Sequence, residues 1–328
     1  MADNKQDKYS NPFTATFTGI VDLFRKHEAA GELKPTDRFD GKTVLIDGSS
    51  SGLGFAVAVE VAKRGAKVIM ACRSGIPEKG ESVKKLSGSG NIHMIPVDFS
   101  DIHSIHRLVD GIRDQFGKID ILICNAGIVP KKSRKTIQGI EEMFMVNYLS
   151  KFIFVNLMIR EDCFRLDGTT HPRILFVSSE AHRNPKEFDW ESFGVYKDYS
   201  IGKSIELYGY YKLLLTTFAV ELSRRLNAGK MTYSVFALCP GPINSNIGRE
   251  APKIFLPLMK LIFAIFFKSP AKAAIPVIYL AASPDLENKS FDYLFLMSRR
   301  EVDEKVLGRE NGQKLWELSE LLVNSINE

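Results

Sequence analysis

From residue 42 onward, short apolar runs alternate with stretches of helical periodicity, and this alternation limits the fold more than any other feature of the chain. The first run, Thr43, Val44, Leu45 and Ile46, has no polar residue facing outward every second position. That is the pattern of a strand buried on both faces of a parallel sheet. Residues 52–65 then carry apolar side chains at helical spacing and end on Gly65, a residue suited to a helix C-terminus. Further strands are expected over 67–72, 91–97, 119–124, 173–177 and 231–239, with helices over 101–116 (capped by Ser100 or Asp101), 139–161 and 205–226. Strand, helix and strand repeated in this order predict an α/β chain built on a doubly wound parallel sheet, with right-handed crossovers and helices on both faces. Ligands of such sheets sit beyond the carboxyl ends of the strands, at the point where strand order reverses.

The motifs fall at those carboxyl ends. Gly48, Ser49, Ser50, Ser51, Gly52, Leu53 and Gly54 join the first strand to the first helix. Glycine there lets the chain turn tightly and brings main-chain N–H groups and a helix N-terminus against a pyrophosphate, which makes the sheet a Rossmann-type one. Asn125, Ala126 and Gly127 follow the fourth strand, and Ser178 and Ser179 follow the fifth. Tyr208 and Lys212 lie four positions apart, on one face of a helix. A phenol works as an acid or base near neutral pH only where a cation favours its phenolate, and the spacing supplies one.

An NAD-type site places an acidic residue at the end of the second strand to accept from the ribose hydroxyls. This chain has Ala71, Cys72 and Arg73 there, with no carboxylate. A guanidinium at that place suits a 2′-phosphate, so NADP(H) is expected ahead of NAD(H). Asp98, closing the third strand, is read either as an acceptor for the adenine amino group or as a turn-capping residue.

Bulk properties exclude several classes. The 328 residues are 45% hydrophobic and 25% charged, and a net charge of +5 is scattered rather than blocked, which argues against nucleic acid as a partner. Cys72, Cys124, Cys163 and Cys239 show no metal-ligand spacing, so no metal is expected, and they read as buried thiols in a reducing compartment. Residues 1–11 lack signal-peptide architecture, and no apolar run reaches bilayer-spanning length. A cytoplasmic or otherwise intracellular protein, at most peripheral to a membrane, is expected. Residues 1–40 read as an N-terminal extension and 41–328 as one dinucleotide-binding domain, with a substrate lid around 246–270.

With these motifs in order, the chain resembles the short-chain dehydrogenase/reductase family over roughly residues 41–325. The resemblance rests on the glycine turn, Cys124 to Gly127, Val146-Asn147, Ser178-Ser179, the Tyr208/Lys212 pair and Pro240-Gly241. Segments 68–73, 246–249, 266–270 and 314–320 are more similar to the retinol dehydrogenase-like branch, and less closely to protochlorophyllide reductases. The resemblance implies that Tyr208 exchanges the hydroxyl proton while hydride moves between substrate and nicotinamide. It implies that Lys212 binds the nicotinamide ribose and lowers the phenol pKa, that Ser179 hydrogen-bonds the substrate oxygen, and that Asn147 anchors a water linking Lys212 to solvent. Cofactor contacts would come from Gly48, Ser50, Ser51, Gly52, Leu53, Gly54, Arg73, Asp98, Asn125, Ala126, Gly127, Tyr208, Lys212, Pro240, Gly241, Ile243 and Ser245.

Two residues depart from the family pattern, Asp47 and Cys124, the latter a neutral change that stands where the family motif has its first Asn. Asp47 stands where the family usually has Thr, and a carboxylate beside a pyrophosphate is tolerable only if it points away and caps local N–H groups. Between Ser179 and Tyr208, a segment with Phe188, Trp190, Phe193, Tyr196 and Tyr199 reads as an inserted surface loop near the site. Residues 254–267 are apolar on nearly every side and read first as a lid over a lipophilic substrate, then as a membrane contact or a homo-oligomer interface. The expected activity is interconversion of a lipophilic alcohol and its aldehyde or ketone. A non-catalytic dinucleotide-binding interaction module and a protochlorophyllide-type reductase are the alternatives.

Overall fold

In the computed structural model, residues 29–168, 170–230, 232–241, 270–287 and 289–327 are described. Ile243, Ser245, the segment 254–267 and residues 1–28 lie outside them.

The apolar runs form one eight-stranded sheet in the order β3-β2-β1-β4-β5-β6-β7-β8. Its strands are β1 (Thr43–Asp47), β2 (Lys67–Cys72), β3 (Ile92–Pro96), β4 (Ile121–Cys124), β5 (Arg173–Val177), β6 (Ser234–Cys239), β7 (Phe291–Phe295) and β8 (Ser298–Arg299). All neighbours are parallel except β8, which pairs antiparallel with β7. β1 shows why its run has no polar alternation: Leu45 enters the core on one face while Val44 and Ile46 enter the core on the other.

Helices α1 (Gly52–Lys63) and α6 (Pro270–Ala282) cover the face of Val44 and Ile46, where α2 (Glu78–Ser87) adds Val83. The opposite face is covered by α3 (Ile102–Phe116), α4 (Glu142–Arg160) and α5 (Ile201–Leu226), and then by α7 (Glu304–Leu307) and α8 (Arg309–Asn327). The expected Rossmann-type sheet with helices on both faces is therefore the observed fold.

Several boundaries move, each for a local reason. Asp101 is the cap of α3, its carboxylate accepting from the His103 N–H, so the helix starts at Ile102. Ile119 only bridges Phe164, which shortens β4. Helix α5 begins four residues before the expected 205, after Ser200. α4 contains a π-helical turn over Met145–Leu149, within the expected 139–161. α2 and the elements after residue 270 have no counterpart in the sequence expectations. In α2 only Gly80 and Val83 are buried, too few to write a periodic signal.

Two further expectations need correcting. α4 is long and apolar enough to cross a bilayer by length and composition, contrary to the expectation of no such run, but 83% of that stretch is buried in the protein core. Within the expected N-terminal extension, the Ala30 carbonyl accepts from Tyr279 at 2.7 Å, and Phe39 is buried. The 184–200 segment is not a simple surface loop. Phe193 packs edge-on against Phe144, Tyr199 donates to Glu141 at 2.6 Å, and Phe188 stacks on Trp190 at 4.5 Å. All four cysteines are free and buried, as expected.

Candidate active site

The sheet order reverses between β1 and β4, and the turns leaving these two strands meet there. Gly48 has φ +61°, and a Cβ on it would lie 2.8 Å from Ala126. A Cβ on Gly54 would lie 2.5 Å from the Asn125 amide and 2.6 Å from the Gly48 carbonyl oxygen. Glycine is therefore required for the first turn to lie against the second. Asn125 ties them together, donating from Nδ2 to the Asp47 and Gly48 carbonyls, both at 3.1 Å. Ser51 caps α1 by position but makes no side-chain cap bond, so the first N–H groups of the helix are open to an anion. Ser50 is half-buried, whereas Leu53 packs in the core. A glycine-rich turn at a helix N-terminus with no side-chain cap fits a dinucleotide pyrophosphate.

Asp47 does point away from this cradle. Its carboxylate is fully buried, accepts from the Asn125 N–H at 2.5 Å and from the Ala126 N–H, and pairs with Lys151 at 2.7 Å. Lys151 is a residue the sequence reading missed. The available signal was a single lysine inside the apolar run of α4, the kind of cation a buried carboxylate needs.

At the adenosine end, Arg73 follows β2 with its side chain 66% exposed, and its guanidinium lies 4.0 Å from Asp98. Asp98 accepts at one oxygen from the Ser100 N–H and hydroxyl, at 2.9 and 2.7 Å, and so caps its turn. Pro240 and Gly241 follow β6, with Gly241 at φ +76°.

The remaining four residues converge beside Gly127. The Ser179 side chain acts on the Tyr208 phenol and favours its phenolate form. The Lys212 ammonium lies 5.5 Å from the centre of the Tyr208 ring and donates to the Val177 carbonyl at 2.7 Å. A Cβ on Gly127 would lie 3.3 Å from the Asn147 amide oxygen and 3.9 Å from the Lys212 nitrogen. Asn147 clamps Ile128, accepting from its N–H at 2.8 Å and donating to its carbonyl at 2.9 Å. Ser178 is separated from this cluster: it is buried and shares a 2.6 Å hydrogen bond with Thr216. Burial, reinforced by Cys239, pushes the Tyr208 phenol well above its usual range, and Ser179 pulls the other way. Burial and then the nearby Lys151 charge pull Lys212 down to about 8, against Cys239 and Asp47.

A second missed residue is His182, fully buried under the Ser179 turn. Its Nδ1 lies 2.7 Å from the Ser179 carbonyl, and its Nε2 accepts from the Asp303 N–H at 3.3 Å. A carbonyl only accepts and an amide N–H only donates, so the ring is neutral with its proton on Nδ1. Burial and then Arg183 pull its pKa down from 6.5 to about 4. Between those two values the unfolded chain binds more protons than the folded one, so stability falls as pH drops from 6.5 toward 4. The loss should be on the order of 1 kcal/mol per pH unit. Urea denaturation across that window should show this slope, and His182→Gln should flatten it; an unchanged slope in the variant would refute the assignment.

A phosphate cradle at the switch point and a Ser–Tyr–Lys–Asn cluster along the same sheet edge define a dinucleotide-dependent oxidoreductase. The model of the family "short chain dehydrogenase" matches residues 42–193. Retinol dehydrogenase 14 of Homo sapiens is 33% identical over 300 residues, covering 86% of this chain and 86% of that protein. The chain belongs to the short-chain dehydrogenase/reductase family, and within it is retinol dehydrogenase-like. Members interconvert alcohols and carbonyl compounds with nicotinamide dinucleotides. Among solved structures, an uncharacterised protein from Mycobacterium paratuberculosis matches with a TM-score of 0.67 and 28% identity, over 91% of this chain and 98% of that one. The Pseudomonas aeruginosa RhlG/NADP active-site complex shares the fold, with a TM-score of 0.62 and 19% identity over 80% of this chain and 98% of that one.

Proposed function

We propose that this protein is an NADP(H)-dependent oxidoreductase that interconverts a lipophilic alcohol with its aldehyde or ketone. The observation that carries the reading is the convergence of Asn147, Ser179, Tyr208 and Lys212 beside Gly127, at the same sheet edge as the glycine cradle. The bound dinucleotide supplies or accepts the hydride. Tyr208 gives the proton to the nascent alkoxide, or takes it from the alcohol, and Ser179 hydrogen-bonds the same oxygen as its charge develops. Lys212, largely protonated below a pKa of about 8, is the cation that favours the Tyr208 phenolate. Asn147 keeps Gly127 and Ile128 in place, and retains a second amide hydrogen and lone pair for a water that relays protons toward Lys212.

NADP(H) is favoured by the exposed Arg73 guanidinium and by the absence of a carboxylate at the end of β2. The P. aeruginosa relative in fold is itself an NADP complex. A lipophilic substrate is favoured by the retinol dehydrogenases among the relatives and by the apolar segment 254–267. We place the catalytic unit at 41–328, with Ile243 and Ser245 on the cofactor and 246–270 over the substrate. A panel of lipophilic carbonyl compounds with NADPH and NADH should give turnover that prefers NADPH. In Arg73→Ala, NADPH binding should weaken by about 1.5–3 kcal/mol, the range for a charge-assisted hydrogen bond, while NADH binding barely changes. Equal losses for both nucleotides would remove Arg73 from the cofactor site.

A further inference from the structure

One buried charge pair has no part in the scheme above. Asp47 ends β1 and Lys151 lies in α4; their side chains are 0% and 1% exposed and meet at 2.7 Å. The neighbours of Lys151 along the helix are Phe152, Ile153, Phe154 and Val155, all buried and apolar. A buried ion pair is a poor device for stability, because well-packed apolar residues usually do as well. A charge at that depth points to a local task. Two observations locate the task. The Asp47 carboxylate grips the Asn125 and Ala126 N–H groups, and the Asn125 amide returns to the Asp47 and Gly48 carbonyls, so this one carboxylate holds the two cofactor-facing turns together. Lys151 holds that carboxylate from behind, its ammonium seated 3.9 Å from the centre of the Phe99 ring.

We propose that Lys151 is a positioning residue for the nicotinamide end of the site: through Asp47 it fixes the turn from Asn125 to Gly127, and its charge sets the field in which Lys212 works. The proposal rests on the reading of Lys212 as the cation beside Tyr208. The charged and titratable groups that act on the Lys212 ammonium are Lys151 from α4, Cys239 from β6 and Asp47 from β1, and Tyr208 lies one turn back on α5. The Lys151 charge disfavours the ammonium form of Lys212, and the Asp47 charge favours it. Removing one or the other therefore moves the titration of Lys212 in opposite directions.

The test uses the full chain and three variants, Lys151→Met, Asp47→Thr and the double variant, with NADPH as the probe. Affinity is read by nucleotide fluorescence as a function of pH, alongside the pH profile of kcat/KM for the best substrate of the panel. Lys151→Met should weaken NADPH binding by about tenfold, the effect of losing one charge-assisted contact. It should also move the alkaline limb up by about one pH unit, as expected for removal of a like charge at short range. Asp47→Thr should move the limb down. If Lys151→Met does not fold, the same upward shift is read between Asp47→Thr and the double variant, where the carboxylate is absent from both. A lowered melting temperature with unchanged affinity and an unchanged limb would make Lys151 a structural ion-pair partner and overturn the proposal. Failure of the functional reading would appear separately, as absent turnover in the parent protein, and the NADPH-binding arm would still decide the role of Lys151.

Discussion

Tyr208→Phe should lower turnover by about 10²–10⁴-fold, the usual contribution of a positioned proton donor, while NADPH affinity stays near that of the parent. The change removes one oxygen from a side chain whose ring stays packed and whose neighbours remain. Lys212 keeps its bond to the Val177 carbonyl, and Asn147 keeps its clamp on Ile128. Ser179 still accepts from the Ala181 N–H at 3.2 Å. The proton-transfer group disappears while the cofactor cradle is untouched, so kcat should fall without a matching fall in nucleotide binding. The nucleotide-free protein holds the Tyr208 proton tightly, because burial outweighs the pull of Ser179. The phenolate form must therefore be drawn out by the Lys212 charge and by the oxidised nicotinamide ring. Turnover within twofold or so of the parent in this variant would defeat the assignment of Tyr208.

Gly54→Ala should have the second largest effect, and on binding rather than on chemistry. The added Cβ would meet the Asn125 amide at 2.5 Å and the Gly48 carbonyl at 2.6 Å, and neither is the loose end of a flexible side chain. Relieving the overlap means moving main chain at the glycine turn or breaking the Asn125 bridge, at a cost of about 1–3 kcal/mol. The same movement spoils the cradle, so NADPH affinity should fall by at least about tenfold, equivalent to 1.4 kcal/mol. Gly202→Ala is the control, since nothing lies within 4 Å of a Cβ there and alanine is the better helix former. Calorimetric titration and thermal melts of both variants decide the point. Equal behaviour of the two would mean that the first turn tolerates a side chain and is not the cradle.

The central strands were legible because burial on both faces removes ambiguity: β2 and β5 fall at the residues their apolar runs mark. The glycine turn, Asn125 to Gly127 and Ser178-Ser179 were legible because each is a short string at the end of such a strand, and the Tyr208/Lys212 pair because its spacing is one helical turn. Two kinds of feature escaped. Partnerships far apart in sequence leave no local pattern, and Lys151 meets Asp47 across 104 positions. His182, similarly, is recognisable only once Asp303 has come back beside it, 121 positions on. Segments whose order comes from tertiary packing also misled. The aromatic residues of 184–200 looked like loop residues because their periodicity is neither helical nor extended, yet Phe193 and Tyr199 are pinned to the body by Phe144 and Glu141. The family resemblance favoured Ser179 over Ser178, and in the structure Ser178 shares its hydroxyl with Thr216.

The way the chain's late segments lie over its early ones fixes an order of events during synthesis. α1 carries the phosphate cradle, and its apolar face is covered by α6, more than two hundred residues later. α5 carries Tyr208 and Lys212 and is sealed by Trp316 of α8, whose neighbour Ser319 shares a 2.6 Å hydrogen bond with Tyr148. Ala29 bridges to Ser298 across almost the whole chain. A nascent chain on the ribosome thus holds Asn147, Ser179, Tyr208 and Lys212 before it holds the segments that pack over their elements. Contacts of such long sequence separation fold slowly and expose apolar faces while they wait. A chain of this topology is therefore expected to refold slowly, and to expose apolar faces until α6 and α8 have packed.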